Sequence, residues 1–115
     1  MNWKFRKIEP GEINIKTSHR FEIHITSDST LYFTNPYEGR VLVLKLIVEP
    51  GVKITWQNTN NCIIRMNDNT YYVENSNDTT DIVYLAFVVN KDNNVFYIDC
   101  IGMINEIKNI DELEG

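Results

Sequence analysis

Residues Val41-Leu42-Val43-Leu44-Lys45-Leu46-Ile47-Val48 are the most apolar run of the chain, with Gly39 before them and Glu49-Pro50-Gly51 after. A run of that length between turn residues is a strand covered on both faces, or one that switches its buried face midway. Either way the rest of the chain must supply strands to pair with it and side chains to cover it. The supply is visible as a period-two alternation that recurs along the sequence. Phe21, Ile23 and Ile25 alternate with Glu22, His24 and Thr26, and Leu31 and Phe33 start a short strand that Asn35-Pro36 stops. Val52, Ile54 and Trp56 share a face, and residues 62–66 and 70–73 read as strands either side of the Asn67-Asp68-Asn69 turn. Residues 81–89 are a second strongly apolar strand, with Val83, Leu85, Phe87 and Val89 on one face; residues 90–94 are the clearest hairpin turn, leading into 95–100.

Composition points the same way. The chain has fifteen Asn, fifteen Ile and a single Ala, Ala86. The best helix former is almost missing, whereas β-branched and turn-forming residues abound. About nine short strands, spaced by turn clusters, predict an all-β fold: an antiparallel, jelly-roll-like β-sandwich. A parallel sheet is not expected, because no helical segment lies between the strands to make the crossovers. Residues 1–115 read as one domain, with a basic N-terminal arm or first strand over 1–12 and an acidic C-terminal arm over 101–115. In that last stretch Ile104, Ile107, Ile110 and Leu113 recur every three residues, which fits a short helix or an extended arm docked on a neighbour. The expected core and fold positions are Pro36, Gly39, Leu44, Trp56 and Phe87. Pro36 ends a strand because it has no N–H to donate, and Gly39 allows a positive φ on the way into the next one.

The formal net charge is −5, which argues against a surface built to neutralise phosphates, so no nucleic-acid partner is expected. Lys4, Arg6 and Lys7 make the start basic, and Glu106, Asp111, Glu112 and Glu114 make the end acidic. Such ends can pair head to tail between copies or stand as two solvated termini. No apolar stretch approaches the ~18 residues that span a membrane. The first residues lack the apolar core of a signal peptide, so folding in a cytoplasm, with Cys62 and Cys100 as reduced and mostly buried thiols, is expected.

Chemistry is thinly represented. His19 and His24 are the two histidines, and nothing local marks Cys62 or Cys100 as an activated nucleophile. No nucleophile elbow, phosphate-binding glycine loop or zinc-protease motif occurs, so no catalytic residue, cofactor or metal is assigned. Asn67-Asp68-Asn69 and residues 75–81 are rich in oxygen ligands, but these are also the ordinary residues of tight turns, and the spacing is not that of an EF-hand. Trp3, Trp56, Tyr37, Tyr71, Tyr72 and Tyr97 beside Asn and Asp are what a sugar-binding face requires, or else core and strand-edge residues.

One series of segments carries a resemblance. The strand ending Leu31-Tyr32-Phe33-Thr34 leads into Asn35-Pro36-Tyr37-Glu38-Gly39, then Val41–Val48, then Gly51-Val52-Lys53-Ile54-Thr55-Trp56; after a variable region come Asp81-Ile82-Val83-Tyr84-Leu85-Ala86-Phe87 and Asn93-Asn94-Val95-Phe96-Tyr97. In that order these segments resemble a recurrent module of tailed-phage virion proteins, found in tail fibres, head fibres and capsid-associated proteins. Trp56 is followed here by Gln57, not by the family's common Trp-Pro, and the loop before Asp81 is rich in Asn, not Gly. The resemblance implies a non-enzymatic structural protein on the capsid exterior of a virion. It would be a capsid auxiliary (decoration) protein or a capsid-bound head-fibre module, oligomeric or bound to the major capsid protein or other virion proteins. The alternative is a tail-fibre module that binds a host-surface glycan or receptor. Trp3, Arg6, Ile104, Ile107, Ile110 and Leu113 are the expected assembly contacts.

Overall fold

The computed structural model describes residues 4–66 and 79–104, and among them it has nine strands and no helix. They are β1 (Arg6–Ile8), β2 (Glu12–Asn14), β3 (Arg20–Ile25), β4 (Ser29–Thr34), β5 (Val41–Val48), β6 (Ile54–Trp56), β7 (Cys62–Met66), β8 (Thr80–Asp92) and β9 (Val95–Ile104). Six of them form one sheet in the order β1-β3-β5-β8-β9-β7, and β2-β4-β6 form a second, three-stranded sheet. From β1 to β6 the chain therefore alternates between the sheets, so each strand pairs with the next but one.

That alternation corrects the expectation of an antiparallel fold. β1–β3, β3–β5, β2–β4, β4–β6 and β7–β9 are all parallel pairs; only β5–β8 and β8–β9 are antiparallel. The objection that parallel strands need helical crossovers fails for a physical reason. A crossover must only carry the chain off the sheet and back to the same end, and between β1 and β6 a strand of the opposite sheet does it; between β7 and β9 the intervening strand is β8 of the same sheet. Register is continuous: Phe21 lies beside Leu44 and Ile23 beside Leu46 in one sheet, while Thr30 lies beside Thr55 in the other.

Both sheets contribute to a single core. β3 buries Phe21, Ile23 and Ile25, β4 buries Leu31 and Phe33, and β5 buries Leu42, Leu44, Leu46 and Val48. On β8 the buried residues are Ile82, Tyr84, Ala86 and Val88. Phe87, expected in the core, belongs to the opposite face and is 36% exposed. The error has a plain cause: β8 is apolar on both faces, so hydrophobicity alone does not choose between two registers one residue apart.

The turns behave as their residues dictate. Asn35 (φ 55°) ends β4, and Gly39 (φ 84°) admits the chain to β5. The turn is tied to β8 by Gly39 N–H to the Val88 carbonyl at 3.1 Å and Val88 N–H to the Arg40 carbonyl at 2.9 Å. The β8–β9 hairpin turns at Asn93-Asn94, with Asn94 at φ 64°, and a bulge at Asn90/Asp92 shifts the register beside it. Residues 101–104, expected to begin a separate arm, continue β9 as far as the pairing of Ile104 with Ile82. The proposed strand 70–73, the oxygen-rich turns at 67–69 and 75–78, and the arm 105–115 lie outside the described residues.

Candidate functional surface

The outward side chains of the six-stranded sheet line up in rows across its strands. Reading across the strands, Arg20, Val43, Leu85 and Ile101 make one row. Val41, Phe87, Asp99 and Arg65 make a second. The stripe in the middle is apolar: Val41 is 47% exposed, Val89 42% and Ile101 46%. A sheet face that meets only water alternates apolar inside with polar outside, and β8 does not.

Three polar clusters stand around this stripe. In the first, Arg65 of β7 grips Asp99 of β9 through two parallel hydrogen bonds, Nε to Oδ1 at 2.5 Å and Nη2 to Oδ2 at 2.7 Å. Its guanidinium lies 3.7 Å from the centre of the Tyr97 ring, with Lys91 Nζ 5.7 Å from the same ring. The fork geometry and the ring face together hold Arg65 more firmly than a simple ion pair would.

In the second, His24 Nε2 lies 2.5 Å from Glu49 Oε2, and Thr79 donates its hydroxyl to Glu49 Oε1 at 2.9 Å. The His24 hydrogen bond and then that of Thr79 hold the Glu49 carboxyl below its ordinary value of 4.5. An open cavity of about 340 Å³ adjoins His24, lined also by Lys7, Glu9, Glu22 and Ile47. Its lining mixes both charge signs and gathers no convergent donor set.

In the third, Arg40 donates from Nη1 to His19 Nε2 at 2.9 Å and from Nη2 to the Ser18 carbonyl at 3.1 Å, and it lies 5.1 Å from the Tyr37 ring centre. Because Nε2 of His19 accepts, its proton sits on Nδ1. This cluster ties the Asn35–Gly39 turn to the start of β3.

The thiols are not part of any such cluster. Cys62 and Cys100 are buried and unpaired. Burial raises both, Cys100 to about 12, so neither is a ready thiolate at neutral pH. Among the described residues no three His, Cys, Asp or Glu side chains gather as a metal site, and no helix is long and apolar enough to cross a membrane.

Of the residues singled out in the sequence, Leu44 is fully buried, and Trp56 is half-buried against the core. Trp56 stacks on Phe33 with ring centres 6.0 Å apart and meets Tyr84 edge-on at 5.4 Å, so it bridges the two sheets. Arg6 is exposed on the edge strand β1, and Ile104 ends β9. Trp3, Tyr71, Tyr72, Ile107, Ile110 and Leu113 lie outside the described residues. Sequence reading missed the Arg65–Asp99–Tyr97 and His24–Glu49 clusters, whose partners are 34 and 25 positions apart with no local pattern joining them. It also misassigned the outer apolar stripe, although the signal was present in a β8 that is apolar at odd and even positions alike. Comparison of the chain with protein-family models, with characterised proteins and with solved structures finds no match.

Proposed function

We propose that the chain is a structural protein of a bacteriophage virion: a capsid auxiliary (decoration) protein or the capsid-bound part of a head fibre, with no enzymatic activity. One observation carries this reading. The segments that resemble the tailed-phage module are successive parts of one scaffold. Asn35 and Gly39 adopt the positive φ of a fixed turn, β5 sits in the middle of the larger sheet, Trp56 bridges the sheets, and β8–β9 is the closing hairpin. The two sheets around one core are read as a β-sandwich with coiled connectivity. The acidic balance suits a capsid exterior, away from packaged DNA, with the major capsid protein, other virion proteins or further copies of the chain as partners.

The runner-up, a glycan- or receptor-binding fibre module, finds less support in the described aromatics. The Tyr97 ring is covered by Arg65, the Trp56 ring by Phe33, and Arg40 lies over Tyr37. Mass spectrometry and immunogold imaging of purified phage particles test the proposal. Recovery of the chain on capsids in stoichiometric amount is the expected result. Recovery only as a free monomer, absent from particles, contradicts it, and reproducible binding to one glycan on an array favours the runner-up.

A further inference from the structure

Among the described strands, the six-stranded sheet ends in β1 on one side and in β7 on the other. An edge strand presents N–H and C=O groups to any strand that approaches it. The two edges differ in sequence. β1 is three residues long and carries Arg6 and Lys7, and shortness and charge both discourage pairing. β7 reads Cys-Ile-Ile-Arg-Met, with a single charge and two β-branched residues that favour a strand. The loop that leads into β7 supplies what its own sequence lacks. In the parallel ladder with β9, alternate residues of β7 turn their N–H groups away from β9, and those of Cys62 and Ile64 are both taken by loop side chains. Cys62 N–H donates to Thr59 Oγ1 at 3.1 Å, and Ile64 N–H donates to Asn58 Oδ1 at 2.9 Å. Thr59 N–H donates in return to the Cys62 carbonyl at 3.0 Å. The Thr59 hydroxyl gives its proton to Asn61 Oδ1 at 3.2 Å, so its oxygen serves Cys62 as an acceptor. The Asn61 carbonyl accepts from Phe96 N–H of β9 at 2.9 Å, which pins the end of the loop to the sheet.

We propose that Asn58 and Thr59 are an edge guard, an intramolecular contact that blocks the addition of β7 from a second copy of the chain. The strand is suited to such pairing. Two β7 strands set antiparallel about Ile64 would exchange the N–H and C=O groups of the two Ile64 residues and place Arg65 opposite Ile63, so that no like charges meet. Asn58 Oδ1 holds the Ile64 N–H on which that pairing depends, and Thr59 holds both backbone groups of Cys62. While the guard is in place this edge adds no strand. The inference stands apart from the virion reading, since it concerns which edge the chain closes to its own copies.

The test removes both side-chain acceptors in the full chain, with N58A and T59V together, and compares the result with N58D and T59S together, which keep an oxygen at each position. The first variant is expected to dimerise in sedimentation velocity as concentration rises, with isotope-filtered proton contacts between the β7 strands of two copies. The second is expected to sediment like the unaltered chain. A folded N58A/T59V chain that sediments like the unaltered one at every concentration overturns the proposal, and so does a dimer formed through another surface. Amide exchange in the unaltered chain gives a reading that needs no variant, and it decides the matter if N58A/T59V does not fold. The Cys62 and Ile64 amides are expected to exchange many-fold more slowly than those of the exposed Asn60 and Asn61, and equal rates overturn the proposal.

Discussion

Trp56 is where the two sheets are joined by aromatic contact, since Phe33 belongs to one and Tyr84 to the other. Half-burial places its replacement below the range for a fully enclosed ring, so Trp56→Ala is expected to cost about 2–4 kcal/mol in urea unfolding. An unchanged midpoint would mean that the aromatic bridge contributes nothing. Gly39 presents a cleaner case. At φ 84° an added Cβ would meet nothing within 4 Å, so Gly39→Ala has only a backbone cost, roughly 1–2 kcal/mol. Gly39→Asn should be milder than Gly39→Val, because Asn tolerates the left-handed region and a β-branched residue does not. The thiols make a third expectation. Cys62 and Cys100 should resist a disulfide reagent in the native state at pH 8 and react at once in denaturant; rapid native reaction would contradict their burial.

At the scale of the strand, β5 and β8 show what alternation does and does not specify. β5 carries Lys45 on its outer side, and the buried set Leu42, Leu44, Leu46 and Val48 follows from it. β8 has no such marker in its middle, so the choice between Tyr84 and Phe87 as core residue rests on pairing with β5 and was invisible in the sequence. Tyr84→Ala is accordingly expected to cost roughly 3–5 kcal/mol and Phe87→Ala less than half of that. Equal losses would return Phe87 to the core. The turns were legible because Asn, Pro and Gly have local reasons to sit where they do. The Arg65–Asp99 and His24–Glu49 pairs were not, because strand order brings their members together and no local rule does. His24–Glu49 has a pH signature. A carboxyl lowered in the fold contributes stability above its ordinary value of 4.5, and that contribution is lost as pH falls through the lowered value. The acid limb of the stability profile below pH 4.5 should be less steep in Glu49→Gln and in His24→Ala. Slopes identical to that of the unaltered chain would show the contact to be idle in solution.

For the whole molecule, all-β character was readable from scarce Ala and recurrent alternation, whereas connectivity was not. Nothing in period two says whether the next strand of a sheet is the next in sequence or the next but one. The chain resolves this by crossing between sheets at nearly every turn, which makes β3–β5 a pairing between segments 23 residues apart in register. The surface follows from the same arrangement, because it sets β5 and β8 side by side and turns Val41, Val43, Leu85 and Phe87 outward together. The measurement that tests that arrangement most directly is the set of cross-strand proton contacts between β3 and β5 in solution. The coiled arrangement predicts contacts rising in the same direction along both strands, Phe21 to Leu44, Ile23 to Leu46 and Ile25 to Val48. Contacts running in opposite directions, with Phe21 near Val48 and Ile25 near Leu44, would contradict it.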